Sequence, residues 1–175
     1  DSKTLLRTDG VVRNGQVSLS TLAQRVAAAQ EGATNVFLTE RYRLLKMLGA
    51  GGMGAVYLAE NVTIGKLVAI KILIETDPEL ARRMMREART ASRIRHENVV
   101  DVLDFGISDD GLPFLVMEYI DGEDLAALIK REAPLSWSVT ADIMRQVCGA
   151  LQAAHASHIV HRDMKPANCL ITRRS

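Results

Sequence analysis

The densest chemistry in the chain lies in His161-Arg162-Asp163-Met164-Lys165-Pro166-Ala167-Asn168. A carboxylate, an ammonium and an amide stand there at short fixed spacing. Phosphoryl transfer needs those groups on one rigid loop: Asp163 to orient a nucleophilic hydroxyl, Lys165 to balance phosphate charge, Asn168 to hold a metal ion. A second stretch, Gly49-Ala50-Gly51-Gly52-Met53-Gly54-Ala55-Val56, fits G-x-G-x-x-G-x-V. Such glycines let the backbone pass close over phosphates and aim N–H groups at them. A flexible hairpin would show the same glycines without any ligand. A dinucleotide site would need a helix directly after them, whereas residues 55–59 read as a strand.

Lys71 closes the apolar run Val68-Ala69-Ile70-Lys71. A lysine there is often only a surface charge, and an acidic partner would turn its ammonium toward a phosphate. The next segment offers one. Asp77-Pro78 supplies an N-cap and a first helical residue. At about 100° per residue, Leu80, Met84, Ala91 and Ile94 form an apolar stripe with Glu87 in its middle. Arg82, Arg86, Arg89 and Arg93 lie opposite and read as a solvated face. A carboxylate on the buried side is costly unless paired, and Lys71 is the natural partner.

The elements that must position these groups follow from patterning. Strands are expected over 41–48, 55–60, 66–73, 99–107 and 113–119, the last two around the turn 108–111. A short helix is expected over 124–131. A long one over 136–157 is capped by Ser136, with Val139, Ile143, Val147, Ala150 and Ala154 on its buried face. Trp137 reads as a packing residue near its start. Residues 1–40 read as an N-terminal extension or linker: 1–16 is polar, and 20–31 suits a short helix capped by Ser20, with Leu22, Val26 and Ala29 on one face.

Bulk properties exclude several classes. The chain has 175 residues, 47% hydrophobic and 25% charged, which suits one globular domain or one and a part. A net charge of +1 gives no reason to expect nucleic acid. The two cysteines, Cys148 and Cys169, lack metal-type spacing and suggest a reducing compartment. No apolar run reaches the roughly 20 residues that cross a bilayer. His155, His158 and His161 sit three apart, but two fall at a helix end and the third belongs to the loop, so a zinc site is disfavoured.

Taken in order, the glycine loop, the lysine strand, the Glu87 helix and the loop 161–168 resemble the Hanks-type serine/threonine protein kinases. Gly51-Gly52-Met53-Gly54 and Arg95-His96-Glu97-Asn98-Val99-Val100 are most similar to the bacterial branch, and Lys165 to the serine/threonine type. The resemblance covers about 41–171. It implies the α+β two-lobed kinase fold: a complete small β-rich lobe over about 41–120, and an incomplete helical large lobe over about 121–175. It implies ATP and Mg2+ as cofactors and proteins carrying Ser or Thr as substrates, and it leaves room for autophosphorylation or a kinase dimer. On this resemblance Gly49, Gly51 and Gly54 would cover the ATP phosphates. Lys71, braced by Glu87, would contact the α- and β-phosphates. Val56, Ala69 and Leu170 would sandwich the adenine, with Met117 as gatekeeper. Glu118 and Ile120 would meet the adenine through backbone groups, and Asp124 would reach the ribose. Asp163 would orient the protein hydroxyl, Asn168 would bind magnesium, and Arg162 would pair with a phosphorylated activation loop.

The sequence departs from that pattern in one respect. A kinase holds its main magnesium with the Asp of an Asp-Phe-Gly after the catalytic loop. Asp104-Phe105-Gly106 comes before that loop, in an expected strand, and reads as small-lobe hairpin. The true motif is expected beyond Ser175, so this polypeptide alone is expected to bind ATP weakly and to transfer phosphate poorly, with the apolar face of 136–157 exposed or otherwise covered. Two rival readings stay open: a non-catalytic, pseudokinase-like ATP-binding module, and a small-molecule phosphotransferase of similar fold. A cytoplasmic location is expected, with membrane anchorage of a longer parent through a C-terminal region allowed.

Overall fold

The computed structural model describes residues 21–22, 24, 27, 35–51, 54–73, 82, 85–86, 88–90 and 92–172. Six antiparallel strands form its main sheet: β1 (Val36–Thr39), β2 (Tyr42–Gly51), β3 (Gly54–Asn61), β4 (Lys66–Leu73), β5 (Val102–Ile107) and β6 (Pro113–Glu118). Their spatial order is β1-β2-β3-β4-β6-β5. β1 lies inside the stretch read as linker; with only four residues it offers too little alternation to declare itself, and its pairing with β2 makes it a strand.

Period-two alternation divides the sheet into two faces. Directly paired residues share a face, so Val56, Lys71 and Leu115 lie in one row and Leu58, Ala69 and Met117 in the next. The opposite face carries Tyr57, Ile70 and Ile72, each 0% exposed, and Val116 at 1%. These join Val36, Leu38, Tyr42, Leu44 and Phe114 in one core. Burying each large side chain contributes roughly 1.5–3 kcal/mol, and β-branched Ile and Val suit the pleated surface. The sheet curls until its ends meet. The Tyr42 ring packs edge-on against Phe114 with centroids 5.9 Å apart. Its hydroxyl donates to Asp104 Oδ2 at 2.9 Å, and Arg41 Nη1 reaches the same oxygen at 3.4 Å. Asp104 thus sits in β5 and joins the two ends of the sheet, in keeping with the small-lobe reading of Asp104-Phe105-Gly106.

After β6 the chain forms β7 (Gly122–Asp124), α1 (Leu125–Glu132), α2 (Trp137–Ala156), a 3-10 turn (Pro166–Asn168) and β8 (Leu170–Thr172). Asp124 caps α1 by accepting from the Ala127 N–H at 2.8 Å, and Ser136 caps α2 by accepting from the Val139 N–H at 3.3 Å. On α2, Ala154 is buried, Ile143, Val147 and Ala150 are half-buried, and Val139 and Met144 are exposed. Trp137 corrects an expectation: it is 84% exposed at the first helical residue and packs no core. Among the described residues no helix is long and apolar enough to cross a membrane.

The helix expected from Asp77 is described only in part. Arg82, Met85, Arg86 and residues 88–90 are helical, with Ala88 buried and Arg82, Arg86, Arg89 and Arg93 exposed as the stripe requires. Leu80, Met84, Glu87 and Ala91 lie outside the described residues.

Candidate active site

The loop 161–168 builds its own geometry. Asp163 Oδ2 lies 2.9 Å from Lys165 Nζ. The Asn168 side-chain amide donates twice to Asp163, to the backbone carbonyl at 2.7 Å and to Oδ2 at 3.0 Å. With its N–H group committed, Asn168 keeps its amide oxygen as an acceptor, the donor type a hard cation prefers. The Lys165 ammonium, then the Asn168 amide, hold the Asp163 carboxyl below its ordinary pKa, so it is ionised at neutral pH. The Asp163 N–H donates to the His161 carbonyl at 2.9 Å around Arg162, whose φ is 62°. A three-residue turn with positive φ at its centre is rare and strained for a non-glycine residue. The strain lies next to the carboxylate it aims. Pro166 then starts the 3-10 turn, its fixed φ suiting the first helical position.

A two-stranded sheet places this loop beside the end of the main sheet. β7 pairs with β8, joining Gly122 to Thr172, Glu123 to Ile171 and Asp124 to Leu170. The Leu125 N–H also donates to the Cys169 carbonyl at 2.8 Å. Gly122 permits the close approach: a Cβ there would lie 2.3 Å from the Ile171 carbonyl oxygen. Leu170 is thereby brought four residues from Ile120. Sequence reasoning missed this ladder, because three-residue strands have no readable periodicity and their pairing is non-local. Gly122, inside the connection from β6 to α1, was the one local sign.

The main sheet supplies the other half. Gly49 pairs with Val56 and Gly51 with Gly54, so the glycines form the tip of the β2–β3 hairpin. The three motif glycines differ. Among the described residues nothing lies within 4 Å of a Cβ at Gly49 or Gly51, whereas at Gly54 (φ 153°) it would meet the Ile72 carbonyl oxygen at 2.1 Å. Val56, Ala69, Lys71 and Met117 share the face opposite the core, with Lys71 half-buried and Ala69 at 9% exposure. The Glu118 N–H is committed to the Asp101 carbonyl at 3.0 Å, and its carboxylate accepts from the Asp101 N–H at 2.8 Å. Ile120 is half-buried and Leu170 exposed. Asp124 spends one carboxylate oxygen on the α1 cap. The expected Lys71–Glu87 pair lies outside the described residues.

Sequence reading also missed a small contact between the segment before β5 and α2. Asn98 Nδ2 donates to Gln146 Oε1 at 2.9 Å, and the His96 ring lies 3.4 Å from where a Cβ on Gly149 would stand.

A curled antiparallel sheet with a glycine hairpin and a strand lysine, followed by a carboxylate–ammonium–amide loop, is the arrangement of a phosphotransferase of the kinase type. Residues 42–175 match the family described as protein kinase domain, and the chain belongs to that family. It is 43% identical to the serine/threonine-protein kinase Pkn1 of Myxococcus xanthus over 175 residues, 98% of this chain and 24% of that protein. It is 46% identical to PknE of Mycobacterium tuberculosis over 134 residues, 75% of this chain and 24% of that protein. The crystal structure of the M. tuberculosis PknI kinase domain superposes with a TM-score of 0.68 at 34% identity, covering 81% of this chain and 59% of that one. The chain spans about a quarter of the length of the curated relatives it matches. Its fold is the kinase fold, a curled β lobe followed by part of the helical lobe, and its relatives are bacterial serine/threonine kinases.

Proposed function

We propose that this chain carries the nucleotide half and the catalytic loop of a serine/threonine protein kinase that transfers phosphate from ATP to protein hydroxyls. The observation that carries the reading is the Asp163–Lys165–Asn168 cluster, with its ionised carboxylate and its committed amide. Asp163 would orient the acceptor hydroxyl and take its proton as that oxygen bonds to the γ-phosphorus of ATP, the bond from the γ-phosphorus to the β–γ bridging oxygen breaks and ADP leaves. Lys165 offsets charge on the transferred group. Asn168 would hold Mg2+ through its free amide oxygen, and the ion would supply charge neutralisation on the phosphates. Gly49, Gly51 and Gly54 would cover the phosphates, and Lys71, with Glu87 as its expected partner, would contact them. Val56, Ala69 and Leu170 would enclose the adenine, Met117 would limit its depth, and Glu118 and Ile120 would meet its edge through the backbone. Use of ATP on protein hydroxyls favours a cytoplasmic site of action.

The test uses the parent kinase with its remaining domain. Asp163→Asn should cut phosphotransfer to a Ser/Thr peptide by about 10²-fold or more while nucleotide binding persists, the size expected for a lost general base. Turnover within a factor of about two of the parent would refute the assignment. A polypeptide of residues 1–175 offers Asn168 but no second metal-holding carboxylate after the loop. We therefore expect weak ATP binding and little transfer from that polypeptide alone, measured with labelled ATP and a basic protein substrate.

A further inference from the structure

Leu22 belongs to the core of the main sheet although it precedes the first strand. It is 2% exposed and falls in the same buried cluster as Val36, Leu38, Tyr42, Leu44, Tyr57 and Val116. Thr21, Leu22, Gln24 and Ala27 are helical, with Gln24 and Ala27 exposed. The remaining members of that cluster come from the strands or, in Leu112, from the turn between β5 and β6. Among the described residues, Leu22 is therefore the one member supplied from outside the sheet and its hairpins. The sheet's ends are drawn together by Tyr42, Phe114 and Asp104, so its core face is wrapped inward around the cluster that Leu22 joins.

We propose that the N-terminal segment carrying Leu22 is an intramolecular docking element. It seats on the face of the sheet turned away from the nucleotide and braces β3 from behind. Its partner is this chain's own sheet. The alternation of β3 links the two faces of the sheet: Tyr57, fully buried in the same cluster as Leu22, stands between Val56 and Leu58, which face the other way. A void behind Tyr57 loosens the strand that carries the glycine hairpin. The similarity to Pkn1 takes in this segment, since it extends over 98% of the chain, while the match to the protein kinase domain begins at residue 42. The element is thus an addition to the common kinase domain, and anything tethered upstream of it could pull on the hairpin through Leu22.

The experiment compares Leu22→Asp with Gln24→Asp, which places the same charge on an exposed neighbour, using the chain as it stands. Readouts are the thermal midpoint and amide hydrogen exchange, neither of which depends on nucleotide binding. Leu22→Asp should lower the midpoint by roughly 5 °C or more and speed exchange in 54–61 by about tenfold or more, with α2 little changed. Gln24→Asp should do neither, and Leu22→Met should restore the parent behaviour. If Leu22→Asp fails to fold, Leu22→Ala provides the graded version of the same comparison, with the same signs. Equal midpoints and equal exchange for the Leu22 and Gln24 variants would overturn the proposal.

Discussion

A methyl group on Gly54 has nowhere to go. Its Cβ would lie 2.1 Å from the Ile72 carbonyl oxygen, 3.1 Å from that carbonyl carbon and 3.2 Å from the Leu73 Cα, all backbone atoms of β4. No rotamer change relieves such a contact. Either β3 and β4 part at the Gly54–Leu73 pair, or residue 54 leaves its φ of 153° and the hairpin tip is rebuilt. Losing a terminal ladder hydrogen bond costs about 0.5–1.5 kcal/mol, and holding an alanine at a φ/ψ suited only to glycine costs about 1–3 kcal/mol. Gly54→Ala should therefore destabilise by roughly 2–4 kcal/mol. At about 2–4 °C per kcal/mol for a chain of this size, the thermal midpoint should fall by roughly 5–15 °C.

Gly49→Ala and Gly51→Ala are the internal controls. Among the described residues nothing lies within 4 Å of either Cβ, so both should melt within about 0.5 kcal/mol of the parent. If those glycines serve phosphate approach, their alanine variants should weaken nucleotide binding in the parent kinase without a matching stability change. Scanning calorimetry on the three variants separates the roles. A Gly54→Ala midpoint equal to those of Gly49→Ala and Gly51→Ala would refute the steric reasoning.

The same geometry fixes three more outcomes. By carboxyl NMR, Asp163 should titrate below the ordinary aspartate range; Lys165→Met should move it up more than Asn168→Ala, because the ammonium is the larger cause. Since its folded pKa is depressed, whatever order its charge gives the loop is present above the unfolded pKa and lost as pH falls through the folded one. Burial, then the hydrogen bond and charge of Asp104, push Tyr42 up to about 12. Asp104→Asn should bring it part of the way back toward 10.0 in an absorbance titration, and the stabilising contribution of neutral Tyr42 should persist below the unfolded pKa and vanish as pH rises through the folded value. Gly122→Ala should force β7 and β8 apart, because its Cβ would meet the Ile171 carbonyl oxygen at 2.3 Å; hydrogen exchange should rise across 122–125 and 169–172 while the main sheet stays protected.

Much of the architecture was legible because it is locally encoded. β4 spans the expected 66–73 with the half-buried Lys71 inside it, and α2 begins after Ser136, the cap expected of it; Asp124, expected as the first residue of the short helix, stands one place before α1 as its cap. The chemistry of 161–168 was legible for the same reason, since Asp163, Lys165 and Asn168 lie within five residues and bond to one another. What escaped depends on partners distant in sequence. β1, β7 and β8 have three or four residues each and become strands only by pairing. Leu22 looked like part of a tether because its contacts lie on strands that follow it by more than a dozen residues. Trp137 misled because a large aromatic near a helix start was read by its type, and type does not say which face has a neighbour.

These differences divide the candidate site into groups that perform chemistry and groups that place it. Asp163, Lys165 and Asn168 hold their mutual geometry on an exposed loop without help from the sheet. Lys71, Val56, Ala69 and Met117 hold theirs by strand register. Among the described residues, the links between the two sets are few: the chain passing from β6 into β7, the β7–β8 ladder, the Leu125–Cys169 hydrogen bond, and the seat of His96 and Asn98 on α2. Small shifts at such links move whole groups relative to one another, and a misplacement near 1 Å is enough to lower transfer about 10²-fold. Substitutions at Gly122 or Asn98 should therefore depress turnover in the parent kinase while leaving the pKa of Asp163 unmoved. Substitutions at Lys165 or Asn168 should change both, because those residues set the charge state they also serve.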